Sequence, residues 1–180
     1  MGKATPRRPA CTTTTDRDTV GAMDDNTHTV SGGRIELRRA TIDEILDLRM
    51  DVIIRGTNRD TPGFDGDRDA STRHFGSFMG QTCVACLSLM QRDDEGVFAY
   101  QLRGMAVAAA LQGTGLGAAL LRYTERAMAE EIAALGRLWC NARTGAAGFY
   151  RKMGWKQIGE AFDIPRVGPH VRMTRALGEG

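Results

Sequence analysis

The sequence predicts an α/β fold: a central mixed β-sheet of about seven strands with helices on both faces. Three observations predict it. Apolar residues alternate with polar ones in short runs such as 34–38 and 97–102. They recur at three- and four-residue spacing in two longer stretches, 42–54 and 116–135. The two kinds of run are interleaved along the chain rather than segregated, which suits one sheet covered on two sides. At 180 residues the chain is long enough for one domain with a substantial core, and no repeat or break is visible after residue 34.

Residues 1–33 carry a threonine run at 12–15, mixed charges and few large apolar side chains. They are expected to form a disordered leader, with a single domain over 34–180. Met23 offers a second start, and Asp16, Asp18, Asp24 and Asp25 argue against a mitochondrial targeting peptide. The first strand is expected at 34–38, where Ile35 and Leu37 alternate with charges. Thr41 with Glu44 three positions on forms a capping box. The helix it opens carries Ile42, Ile45, Leu46, Arg49, Met50 and Ile53 on one stripe to about Ile54. Residues 56–69 are polar and glycine-bearing, with a turn at Pro62-Gly63. A loop this long reads either as a site-forming element or as a solvent-facing connector.

Strands at 74–78 and 82–90 join across Met79-Gly80-Gln81, and a charged turn at 91–96 leads to another at 97–102. Gly104 suggests a bulge or a close backbone approach. A helix from Gly115 to about Ala134 sets Leu116, Ala119, Leu120, Tyr123, Ala127 and Met128 opposite Arg122, Glu125, Arg126 and Glu130. After Gly136 come a buried-type strand at 137–140, a helix at 144–152 closed by Gly154, and final strands at 155–160 and 169–177.

A formal charge of +2 spread over mixed-sign sequence, with no block of like charges, argues against nucleic acid. The longest mostly apolar run, 105–111, is too short to span a bilayer. Four cysteines without a secretion signal point to reduced thiols and a cytoplasmic location. Cys83 and Cys86, three apart on a strand, are expected on opposite faces, and no second Cys/His pair accompanies them, so no metal site is expected.

The functional signal lies in the strand at 103–107 and the turn Gln112-Gly113-Thr114-Gly115-Leu116-Gly117 that opens the long helix. Unpaired N–H groups and the helix dipole favour an anion there, and glycines permit close approach. The GxxxxGK[ST] nucleotide loop is excluded because Ala118 and Ala119 follow Gly117. A dinucleotide turn fits poorly in spacing and position, and a ligand-free packing turn is the plain alternative.

The turn resembles the (Q/R)xxGx(G/A) acetyl-coenzyme A loop of the GNAT superfamily of N-acetyltransferases. Residues 102–107 look like the family's central strand, and 141–155, with Phe149-Tyr150 and Gly154-Trp155, like its next motif. The resemblance covers about 34–177. It implies the GNAT acyl-CoA N-acyltransferase fold and acetyl transfer from acetyl-CoA to a primary amine by direct attack. The pyrophosphate would sit on Gly113, Gly115, Leu116 and Gly117, with Gln112 and Thr114 in the same loop. The pantetheine arm would lie along Met105, Ala106 and Val107, where two parallel strands splay. Asn141, Ala147 and Tyr150 would line the cofactor side, Tyr150 as general acid at the sulfur.

No residue of 104–107 can serve as base. By the same resemblance His170, in a Pro-His at the start of the last strand, is the alternative, with a structural role left open. Asp69 and His74 flank the second strand and are expected to reach the acceptor side, where Asp65 and Asp67 are expected to attract a cationic amine. Cys140 adjoins the expected thioester region, but direct transfer is the family's usual route. A small-molecule or peptide acceptor, a homodimer, and a non-catalytic acetyl-CoA-binding module all stay open.

Overall fold

The computed structural model describes Met1, residues 26–31 and 33–177; most of the expected leader lies outside the described residues. Eight strands form one sheet in the order β1-β2-β3-β4-β5-β6-β8-β7. They are β1 Thr27–Val30, β2 Gly33–Ala40, β3 Arg73–Met79, β4 Thr82–Gln91, β5 Ala99–Val107, β6 Arg137–Arg143, β7 Lys156–Ile164 and β8 Gly168–Ala176. β1 corrects the expectation that order begins at Arg34. Its residues pair antiparallel with β2, His28 opposite Ile35, and add an edge strand to the seven anticipated.

Helix α1, Ile42–Arg49, opens with the expected capping box: Thr41 N–H donates to the Glu44 carboxylate at 2.7 Å. It continues as a wide π-type turn over Met50–Ile54, and together with Cys86 and Ala106 it covers one face of the sheet. Helix α2, Leu116–Glu131, and the short α3, Ala147–Lys152, cover the other face. α2 is shorter than expected, its last turn unwinding at Ile132. Leu116, Leu120, Leu121 and Met128 are fully buried against β3, β4 and β5. Truncating one such leucine to alanine costs about 2–5 kcal/mol.

Three register shifts interrupt the described strands, one in β7 between Ile158 and Phe162 and two in the central strands. In β5, three steps from Arg103 to Ala106 oppose two steps from Ser88 to Cys86, and Gly104 takes φ +58° there. A Cβ on Gly104 would lie 2.7 Å from Arg49 Nε, so the glycine serves both the bulge and a close approach. In β4 the register slips by one between Ala85 and Cys83. That slip corrects the reading of the two thiols: Cys83 and Cys86 share the α1 face rather than opposing one another.

The joint that positions the site is the one parallel pair among the described strands. β5 and β6 pair only at Ala99–Arg137, Tyr100–Leu138 and Gln101–Trp139. Beyond Gln101, β5 stays with β4 as far as Val107, and β6 stays with β8 through Arg143 and His170. The two strands therefore part, and their facing edges lose the ladder.

Candidate active site

The parting of β5 and β6 opens a cavity of about 620 Å³. Its walls include Met105, Asn141, Ala146, Tyr150 and His170, with the segment after α1 closing one side. Two polar atoms beside the gap have no partner: Asn141 Oδ1 and Gln101 Oε1 are both buried and unbonded. A buried, unbonded amide oxygen is costly, and a ligand donor entering the gap satisfies it. The open edges of β5 and β6 offer backbone groups in the same place. These features fit the amide-bearing arm of an acyl-coenzyme A. Gln101 was missed from sequence; a glutamine between Tyr100 and Leu102 in a buried strand was the available signal.

At the mouth of α2 the turn is exposed and Gly115 caps the helix in the left-handed region, φ +85°, with no side-chain cap. Gly113 has φ +79°, and a Cβ there would meet nothing within 4 Å. The turn is clear at Gly113, while His28 of β1 lies against its other side with Nε2 3.3 Å from Thr114 O, and the first N–H groups of a 16-residue helix begin there. Gln112 Nε2 donates to Val107 O at 3.1 Å and Thr114 Oγ1 to Leu111 O at 2.8 Å, bracing the turn from inside. Gly117 has another job: a Cβ would come within 3.3 Å of Val107 Cγ2, so it lets α2 pack close to β5. Ala106 faces α1 and Ala147 is buried in the core beside Tyr150; of the alanines on the short helical segment, Ala146 is the one that lines the cavity.

Tyr150 is almost fully buried between Phe149 and Trp155, both ring centroids at 5.2 Å. Its hydroxyl points at Met105 Sδ, 3.6 Å away, a weak acceptor that leaves the O–H free for a better one. Burial, with Cys140 alongside, holds its pKa well above the usual phenol value, so it stays a proton donor. Burial likewise pushes the Cys140 thiol up to about 12, which keeps it protonated and unsuited to nucleophilic attack.

His170 is buried on the cavity wall. Its Nδ1 lies 2.7 Å from Gly168 O, and a carbonyl only accepts, so Nδ1 carries a proton and Nε2 is the nitrogen left to exchange one.

The four acceptor-side residues anticipated from sequence do not gather at this wall. Asp67 is buried under the loop, where Arg49 Nη1 donates to its Oδ2 at 2.6 Å and Phe64 N–H at 2.8 Å. His74 is the loop's floor. Its Nε2 donates to Asp67 O at 2.8 Å, and its Nδ1 accepts from the Ser88 hydroxyl, which itself accepts from Arg49 Nη2. Burial lowers the His74 pKa, in keeping with a neutral ring. Asp65 and Asp69 are exposed and absent from the cavity lining; Asp65 contributes its backbone oxygen to Arg103 at 2.8 Å. Neither Asp65 nor Asp67 lines the cavity: Asp67 is ion-paired with Arg49, and the Asp65 side chain is exposed. Among the described residues no group of three potential metal ligands occurs, and no helix is long and apolar enough to cross a membrane.

Comparison with known proteins agrees with this geometry. The acetyltransferase (GNAT) domain model matches residues 73–157, which run from β3 through the glycine turn to β7. An "uncharacterized N-acetyltransferase", YitI of Bacillus subtilis (strain 168), is 28% identical over 146 residues, covering 79% of this chain and 97% of its own. The crystal structure of Escherichia coli ElaA superposes with a TM-score of 0.66 at 20% identity, over 78% of this chain and 99% of that one. A GNAT family acetyltransferase from Elizabethkingia anophelis, solved with acetyl-CoA bound, superposes with a TM-score of 0.58 at 15% identity, over 79% and 98% of the two chains. The domain model, a named N-acetyltransferase relative and the shared architecture agree: residues 73–157 match a GNAT acetyltransferase domain, and the chain has the fold of GNAT acetyltransferases.

Proposed function

We propose that this protein transfers the acetyl group of acetyl-CoA to a primary amine by direct attack, with release of coenzyme A. Acetyl-CoA supplies an acyl group already activated as a thioester. The turn at Gly113 and Gly115, with the first N–H groups of α2, holds the pyrophosphate. The edge of β5 from Gly104 to Ala106, beyond its last pair with β6, and the orphaned amides of Gln101 and Asn141 take the pantetheine arm. That anchoring sets the thioester between Tyr150 and His170, so much of the rate comes from proximity.

His170 Nε2 accepts a proton from the acceptor ammonium or amine, directly or through water, as the new C–N bond forms. The C–S bond breaks and Tyr150 O–H gives its proton to the departing thiolate. The observation that carries this reading is the pairing of functions on one cavity wall. A phenol kept protonated by burial and an imidazole with its Nδ1 proton already committed both line the gap between β5 and β6.

The test is thiol release from acetyl-CoA in the presence of a panel of amines. Turnover that falls in Tyr150→Phe without loss of coenzyme A affinity supports the acid role. Unchanged turnover removes Tyr150 from it. A His170→Gln variant that loses the acid limb of the rate–pH profile supports the base role, and an unaltered profile returns His170 to a structural one.

A further inference from the structure

The charges lining the cavity bear on the acceptor. The side away from α2 is formed by the segment after α1, by β5, and by the ends of β4 and β7. Arg59, Arg92, Arg103 and Arg166 lie on it, and among the described residues no aspartate or glutamate lines the cavity. Elsewhere nearby, arginines are matched with carboxylates. Arg49 is paired with buried Asp67, and Arg137 and Arg172 share buried Asp94. The four wall arginines have no such partner among the described residues. Arg103 Nη1 reaches the Asp65 backbone oxygen and Met90 Sδ, and Arg59 Nη2 reaches Gly63 O at 3.4 Å.

The Phe64 ring draws this charge together. Arg49, Arg59 and Arg103 lie over it with Cζ at 4.9, 4.6 and 5.1 Å from the centroid. The ring face stabilises each guanidinium, but three like charges around one ring repel, and Asp67 neutralises one of them. Burial lowers the Arg103 pKa; Asp67 and Asp65 oppose the shift, and Arg49 and Arg92 add to it. An anion between Arg59 and Arg103 relieves both the repulsion and the missing hydrogen bonds, and the planar forks suit a carboxylate or phosphate. A second cation placed there adds to the repulsion. The glycine turn that takes the pyrophosphate in the reading above does not line this cavity, so these arginines are not part of that cradle.

We propose that the acceptor is a small amine bearing an anionic group, a carboxylate or a phosphate, held by Arg59 and Arg103 while its amino group faces the gap between β5 and β6. This rests on the transfer reading above and names the substrate class for the same site. A 620 Å³ cavity accommodates a small acceptor beside the end of the pantetheine arm.

The experiment measures thiol release at saturating acetyl-CoA with matched amines: γ-aminobutyrate and phosphoethanolamine against butylamine, ethanolamine and putrescine. An anionic amine is expected to exceed its neutral counterpart at least about tenfold in kcat/KM, with putrescine lowest. The two anionic amines separate carboxylate from phosphate recognition. Arg59→Gln and Arg103→Gln are expected to raise KM for the preferred anionic amine about tenfold while leaving coenzyme A affinity unchanged. Equal or better use of butylamine or putrescine overturns the proposal and leaves acetyl transfer standing, as does an unchanged KM in both variants. If coenzyme A binds but no amine is acetylated, the transfer reading fails. The anion site is then read by calorimetry with inorganic phosphate on coenzyme A-loaded protein, where binding lost in Arg103→Gln supports it and absence of binding overturns it.

Discussion

Two buried histidines show how differently this fold uses the same side chain. His74, beneath the loop that follows α1, has both ring nitrogens engaged, one on a backbone carbonyl and one on Ser88. His170, on the cavity wall, has one nitrogen on Gly168 O and the other uncommitted. Around His74 the network runs through Arg49 and Asp67 and pins the loop, with both histidine nitrogens and both Arg49 terminal nitrogens bonded and Arg49 Nε left without a partner. Around His170 and Tyr150 the polar groups point into a gap. Closed networks hold shape, and open ones are where a ligand completes the bonding.

The comparison is sharpened most by removing the charge that closes the His74 side. Asp67→Ala leaves Arg49 buried without its counter-ion and is expected to cost about 3–5 kcal/mol, read by chemical denaturation. A loss below about 1 kcal/mol would mean that the loop is not pinned as described. On the open side, Tyr150→Phe is expected to lower kcat by roughly 100-fold with little change in stability or coenzyme A affinity.

Next comes the direct contrast of the histidines. His170→Gln should alter the rate–pH profile while leaving unfolding nearly unchanged. His74→Gln should cost about 1–3 kcal/mol of stability while leaving the profile's shape intact. Reversed results would exchange their roles. Cys140→Ala should retain turnover within a few-fold, because a thiol held near pKa 12 is not the nucleophile; loss of activity with an acetylated wild-type cysteine would contradict direct transfer.

The smallest effect is at the capping box. The hydrogen bond from Arg38 holds the Glu44 carboxyl at about 2, and Thr41 contributes too. A lowered folded-state pKa stabilises the protein above the ordinary value of 4.5, and the benefit fades as pH falls toward 2. Glu44 is partly exposed and screened, so Glu44→Gln is expected to cost less than about 1 kcal/mol at pH 7, with the difference from wild type shrinking in that acidic window. A constant difference down to pH 2 would rule out this origin.

What was legible in the sequence was local. The Thr41–Glu44 box, the α2 stripe of Leu116, Leu120 and Met128, the hairpin at Gly80 and the bulge at Gly104 each follow from short-range spacing. The glycine turn was legible because its φ values admit few other residues. The parting of β5 and β6 was reachable only through resemblance, since no periodicity marks where a parallel ladder stops. The pairing of Cys83 with Cys86 on one face was misread because a one-residue slip at Val84 resets the alternation. The Arg49–Asp67 pair joins a helix to a loop without periodicity. Its signal was Arg49 itself, a charged residue at an apolar position of the α1 stripe, which calls for a buried counter-ion. The same aperiodic loop hid Arg59 and Phe64.

The most direct test of the account is a calorimetric titration of the folded protein with coenzyme A, beside its Gly113→Val variant. Saturable one-to-one binding, weakened about tenfold or more when a branched side chain crowds the turn, is the predicted result. Well-folded wild-type protein that takes up no coenzyme A, or a variant that binds it equally well, would contradict the claim that this turn holds the acyl carrier.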